Sequence, residues 1–186
     1  MCYSAQVIQQ YGRYVRQFGA ILSKKEYVRQ FWDYKEKGSP YRYPKAMLDA
    51  FNHPRTEEER EIHALIQDIR AQQAGQFEQE LFKQKKRLAD AERTLQVQIT
   101  KKAQNDQRIA TNKIGQLKAK IEDLKRTRPL PRDSRIFPST YCTVLASEGG
   151  QRFVAPMRYQ CRPAGKPALY DQKYPGTYNA RRDNLG

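Results

Sequence analysis

Cys2 follows the initiator methionine directly in "MCYSAQV", and that position gives an ordinary side chain unusual chemistry. Initiator methionine is normally trimmed when the next side chain is small, and cysteine's is. The mature chain would then begin with an α-amine and a thiol on adjacent carbons. A free α-amine titrates near about 7.7–8.0 and a free thiol near about 8.5. Part of the amine is therefore uncharged and nucleophilic at neutral pH. It can attack an aldehyde to form an imine, and the thiolate can add to the imine carbon. The product is a five-membered thiazolidine. Its closure is intramolecular and gains the high effective concentration of a held nucleophile. A cysteine at this position is also compatible with no chemical role, so the rest of the chain must decide.

The other soft ligands do not gather. Cys2, Cys142 and Cys161 are odd in number and widely spaced, with no Cys-x-x-Cys pair, and His53 and His63 lie far from them in sequence. This pattern predicts neither a disulfide framework nor a metal site, and no cofactor is expected.

The charge balance points to a partner. Among 186 residues, 35 are Lys or Arg and 20 are Asp or Glu, a net charge of +15. Such a balance favours a polyanion, nucleic acid or an anionic surface. Residues 2–20 lack an apolar run after a basic start, and no stretch approaches the roughly 18 apolar residues of a membrane span. The expectation is a soluble cytoplasmic protein without a membrane partner, associated with the nucleoid through DNA.

Three segments must position these groups. Residues 1–54 carry amphipathic patterns: Tyr11, Tyr14, Val15 and Phe18 at helical spacing before Gly19, then Tyr27, Val28, Phe31 and Trp32 as one apolar face after a Ser23/Glu26 capping box. Pro40, Pro44 and Pro54 then surround a short helical piece. Residues 55–128 have no proline and alternate in charge sign. Thr56 and Glu59 form a capping box, Ile62, Leu65, Ile66 and Ile69 make a stripe, and Phe77, Leu81, Leu88 and Leu95 continue it. Ile114, Leu117, Ile121 and Leu124 give a short coiled-coil seam. A single rod of this length would run on the order of 100 Å, so the reading is a helix to about Gly75 and then an antiparallel hairpin that turns near 100–106, with Asn105 and Asp106 as candidate turn residues. Residues 129–186 are rich in proline and tyrosine, with a β-hairpin predicted around Glu148-Gly149-Gly150.

Charge and rings are unevenly shared. Residues 55–128 hold 17 of the basic and 12 of the acidic residues, leaving 18 against 8 elsewhere. All twelve tyrosines and Trp32 also lie outside that arm. Arginine and tyrosine interleave in "YGRYVRQF", "SPYRYPK", "PMRYQCR" and "YNARRD". Rings that stack bases beside arginines that hold phosphates suit single-stranded DNA. The same tyrosines also suit a small core, with the arginines keeping it in solution. The aldehyde that matches both Cys2 and such a surface is the ring-opened sugar of an abasic site.

"MCYSA", "PKAMLDAF", "APMRYQCRPAGKP" and "YNARRDNL" resemble the SOS-response-associated peptidase family, the abasic-site-crosslinking proteins. The likeness covers residues 1–54 and about 129–186, and the 55–128 arm is similar to an insertion in one bacterial branch. It implies an α+β fold: a small β-barrel-like core with a long inserted helical, coiled-coil hairpin. It implies covalent capture of abasic sites in single-stranded DNA in the DNA-damage response, with peptidase self-release. By the resemblance, Cys2 is the nucleophile, Asn179 bonds near the thiazolidine, and Arg181 grips a flanking phosphate. Asp183 stands where the family has glutamate, Tyr159 replaces a tryptophan and stacks a base, and Pro44 and Arg158 are walls of the DNA groove. The family's later glutamate and histidine would fall beyond Gly186, which implies an incomplete barrel with unpaired strand edges and weakened activity.

Two other classes remain. One is an N-terminal-nucleophile amidohydrolase of glutaminase type, which also exposes a first-position cysteine, although Tyr3 rather than a glycine-rich start follows here. The other is a non-catalytic nucleic-acid or partner-binding module working through the helical arm, which either braces the domain or docks a partner helix.

Overall fold

The β-hairpin predicted from the Gly-Gly pair organises the sheet. Strands β4 (Tyr141–Glu148) and β5 (Gln151–Arg158) are antiparallel, in register from Glu148 opposite Gln151 to Tyr141 opposite Arg158. Gly149 and Gly150 both have positive φ, 56° and 79°, the twist that a two-residue hairpin turn needs. The computed structural model describes residues 4–6, 11–37, 42–163, 165–167 and 169–174. Strand β2 (Ile21–Leu22) joins the far side of β5 in parallel, Ile21 against Phe153, giving the order β2-β5-β4. A separate antiparallel pair forms from β1 (Ala5–Gln6) and β3 (Arg135–Ile136). The protein is thus mixed α and β with small sheets. Among the described residues these strands do not close into a barrel: β1, β2 and β3 have two residues each, too few to carry pairing around a cylinder.

Helices α1 (Tyr11–Phe18) and α2 (Lys24–Lys37) flank β2. Gly19, with φ 61°, ends α1 in the left-handed conformation that favours glycine. The Ser23 carbonyl accepts the first amides of α2, and its own N–H donates to Val154 O at 2.9 Å, tying the helix start to β5. Tyr27 and Phe31 are fully buried. The hydroxyls of Tyr27 and Thr143 lie 3.1 Å apart, so a buried phenol is satisfied inside the sheet. Helix α3 (Lys45–Asp49) contributes buried Met47, and Phe51 follows it. Phe51 stacks on Tyr11 at 4.7 Å and meets Tyr27 edge-on at 5.3 Å, while Phe31 meets Tyr43 edge-on at 5.1 Å. Each such buried ring contributes about 1.5–3 kcal/mol by burial, with about 0.5–1.5 kcal/mol more per well-oriented ring pair.

Helix α4 (Glu57–Val97) starts where its capping signals stand. The Glu59 N–H donates to Thr56 Oγ1 at 3.4 Å, and the Glu59 carboxylate accepts from the Arg55 N–H at 2.7 Å. Ile62, Ile66 and Ile69 are buried. The helix does not stop at Gly75. Nothing lies within 4 Å of the place a Cβ would take there, and strong helix formers flank it, so the roughly 1 kcal/mol cost of a helical glycine is absorbed. Nor does the chain turn at Asn105 and Asp106. It turns at 98–100, because Thr100 caps α5 (Lys101–Lys125), its Oγ1 accepting from the Ala103 N–H at 3.1 Å. Asp106, inside α5, instead takes Arg87 of α4 at 2.5 Å. With Lys120 over the Phe77 ring at 5.5 Å, that pair fixes the two helices antiparallel.

The chain forms two compact units, residues 1–66 with 129–186, and residues 67–128. In the second, Ala91, Ala103, Ala110 and Leu117 are buried, and the predicted stripe from Phe77 to Leu95 is half-buried. No helix is long and apolar enough to cross a membrane among the described residues.

Candidate nucleic-acid interface

Two clefts lie in the unit formed by residues 1–66 and 129–186. The first, about 670 Å³, runs between α2 and the sheet. Its cations are Arg29 of α2, Arg158 at the end of β5, and Arg162 just beyond. Tyr141, opposite Arg158 in the hairpin register, supplies a ring to the same wall. Arg29, largely exposed, is partly neutralised by half-buried Glu26 at 2.5 Å. Gln30 donates from Nε2 to Pro156 O at 3.1 Å, and its Oε1 is a buried acceptor without a hydrogen-bond partner among the described residues. Pro156 has no N–H to give the sheet, and its carbonyl is the one Gln30 uses. The cleft therefore combines cations, a ring and an unused acceptor, the groups that meet phosphate, base face and base N–H.

The second cleft, about 1490 Å³, lies between α1, α2 and the start of α4. Its apolar floor includes Ile21, 55% exposed, and Trp32, 51% exposed. Trp32 does not join the core face of α2 as the apolar pattern predicts. At 3.6 residues per turn, Val28 and Trp32 lie about 100° around the helix from Tyr27 and Phe31. The apolar residues form two stripes, of which one meets the sheet and the other faces this cleft.

The two rims differ in charge. Arg13 and Arg16 of α1 and Lys25 of α2 stand on one side, and among the described residues none of them holds a carboxylate in an ion pair. The α4 side is acidic but largely spoken for. Lys24 donates to Glu58 Oε2 and Thr56 Oγ1, each at 3.0 Å. Glu59 is buried and takes the Arg55 amide, while Asp49 pairs with Lys45 at 3.2 Å. Burial, and then the bond to Glu59, push the Tyr11 phenol well above its ordinary range, so Tyr11 stays a neutral donor. The Glu58 carboxyl is held down to about 2, first by its own amide in the first turn of α4 and next by Lys24 and Thr56.

Of the residues singled out in the sequence, Cys2, Asn179, Arg181 and Asp183 lie outside the described residues. Arg158 lines the first cleft. Tyr159 is half-buried; its N–H donates to Thr140 O at 2.8 Å and its carbonyl accepts from Ser139 at 3.0 Å. Pro44 is buried and lines neither of the two clefts; its carbonyl accepts from Met47 and Leu48 at the start of α3. Burial pushes the Cys142 thiol up to about 11, which keeps it protonated and unreactive at neutral pH. Of the tyrosines in the arginine-interleaved stretches, Tyr11, Tyr14 and Tyr43 pack against other rings, as do Tyr27, Tyr34 and Tyr141 elsewhere in the chain. The residues missed by sequence reasoning are Arg29 and Trp32; Arg13 and Arg16 carried a signal in "YGRYVRQF". Among the described residues no cluster of His, Cys, Asp and Glu could hold a metal ion. No protein-family model, curated protein or solved structure matches the chain.

Proposed function

We propose that this protein binds single-stranded DNA and captures abasic sites covalently through Cys2. The observation that carries the reading is the first cleft, where Arg29, Arg158 and Arg162 converge beside Tyr141 with a free buried acceptor on Gln30. Phosphates would take the guanidinium forks and a base would meet the ring. The same reading makes the unit of residues 1–66 and 129–186 an abasic-site-crosslinking core of the family it resembles in sequence, and α4–α5 an inserted coiled-coil arm.

The chemistry follows from the processed terminus. The α-amine of Cys2 adds to the aldehyde carbon of the opened sugar, and loss of one water leaves an imine. The thiolate then adds to the imine carbon while the imine nitrogen takes a proton. One carbon–nitrogen and one carbon–sulfur bond have formed, and the carbonyl oxygen has left as water. Asn179 would hold the opened sugar and Arg181 the neighbouring phosphate. Hydrolysis of the same linkage would release the DNA.

Intact-mass analysis before and after incubation with an abasic oligonucleotide tests this. The expected results are loss of Met1, a stable DNA adduct of the wild-type chain, and none for Cys2→Ala or for an undamaged oligonucleotide. An adduct that forms with Met1 still attached would overturn the mechanism.

A further inference from the structure

We infer that the cleft between α1, α2 and the start of α4 is a second contact for the same single strand, taking an undamaged stretch of it, with one base stacked on Trp32 and its phosphates on Arg13, Arg16 and Lys25. This deepens the reading above and rests on it for the class of ligand.

Three observations favour this occupant. Trp32 is half exposed although it is a large ring on a helix where Tyr27 and Phe31 are fully buried and Tyr34 is half-buried. An indole face open to solvent beside Ile21 offers the sequence-tolerant platform that bases of any identity can use. Next, Arg13, Arg16 and Lys25, which hold no ion pair among the described residues, stand on the α1–α2 rim, whereas the α4 side offers one exposed cation, Arg55, beside acids that are paired or buried except for exposed Glu61. A polyanion would therefore favour the first rim, with three cations, over the second, where Arg55 stands with exposed Glu61. Last, Arg13 and Arg16 are three residues apart and so neighbours on one helix face. Arg16 lies back toward Gly12, its Nη1 only 3.4 Å from where a Cβ would stand. A side chain at position 12 would crowd the guanidinium that the phosphates need.

Trp32 is the only tryptophan in the chain, so its fluorescence reports on this cleft alone. The test is a titration of the full chain with an undamaged thymidine oligomer of about ten nucleotides, within the usual span of single-strand sites. The expected result is saturable quenching that weakens as salt rises. Arg13→Ala and Arg16→Ala should each lower the salt slope by about 0.7 and keep the reporter in place. Trp32→Ala should weaken binding about tenfold, followed by anisotropy of a labelled oligomer, and Trp32→Phe should restore most of it. Half-exposed Trp32 lies outside the packed rings, so its variants should keep the wild-type melting transition.

Anisotropy that shows binding without any quenching would overturn the inference, as would quenching by polyglutamate and not by the oligomer. The abasic adduct separates this from the parent reading. A normal adduct in every cleft variant, with no quenching by thymidine, removes the second contact and leaves Cys2 capture standing. Quenching without any abasic adduct removes Cys2 capture and leaves the contact standing.

Discussion

Around Phe31, the rings of Tyr27, Tyr43 and Phe51 lie at 6.1, 5.1 and 6.3 Å, contributed by three stretches of chain and packed beneath strands from far along the sequence. In the other unit, beyond Ile69 at its start, the buried apolar residues along the two helices are Ala91, Ala103, Ala110 and Leu117, with buried Gln84 among them and its Oε1 unpartnered among the described residues. The first arrangement gains its stability from large apolar surfaces that meet only when the chain has folded. The second relies on local helical hydrogen bonds, a Thr100 cap, and a thin seam edged by the Arg87–Asp106 pair. Elements that cross at angles leave concave surfaces between them, whereas two helices lying side by side fill their shared groove. Both clefts described above are accordingly lined by residues 1–66 and 129–186 alone. The contrast assigns ligand chemistry to the ring-packed unit and predicts that the two units respond differently to damage.

The strongest way to break that contrast is Phe31→Ala. Removing a fully buried aromatic costs about 3–5 kcal/mol, of the order of a small unit's whole stability. Urea unfolding followed by Trp32 fluorescence should shift to much lower concentration, while the helical circular-dichroism signal keeps a later transition carried by α4 and α5. If both signals move together by the same amount, the chain is one cooperative block and the contrast fails. Leu117→Ala is the converse test. Leucine truncation costs about 2–5 kcal/mol, and the low end applies because the seam is narrow and its cavity opens readily to water. The helical signal should shift and the Trp32 transition should stay.

The features legible in the sequence were those set by near neighbours. Thr56 with Glu59, Gly19, and Gly149 with Gly150 each do locally what their residue types predict, because capping and left-handed turns are decided within a few residues. The turn between α4 and α5 falls at the near edge of the expected 100–106 window, because the operative signal is the Thr100 cap and not Asn105 and Asp106, which look like breakers. Trp32 was misassigned because α2 carries two apolar stripes, and only the approach of the sheet decides which one is covered. The parallel pairing of Ile21–Leu22 with β5 leaves no local trace at all. The candidate site divides in the same way: Arg158 stood in a recognisable motif, but its convergence with Arg29 and Arg162 is a product of tertiary approach.

The smallest expected effect sharpens the boundary between the units. Glu58 opens α4, but it sits in the ring-packed unit, tied to Lys24 of α2. Its carboxyl is lowered from an ordinary 4.5 to about 2 in the folded chain. Between those values the unfolded state binds the proton that the folded state refuses, so the contribution is complete above pH 4.5 and is lost as pH falls toward 2. Because the group is exposed, screening makes the gain small and salt-sensitive. Glu58→Gln should flatten this part of the pH profile entirely. Lys24→Met should flatten it only in part, because the first cause of the shift is the helix's own amide and the lysine is second. The change should be visible in the Trp32 transition and not in the later helical one. Equal flattening by both variants would mean that the ion pair alone holds the carboxylate, and a shift of the helical transition would mean that the start of α4 belongs energetically to the other unit.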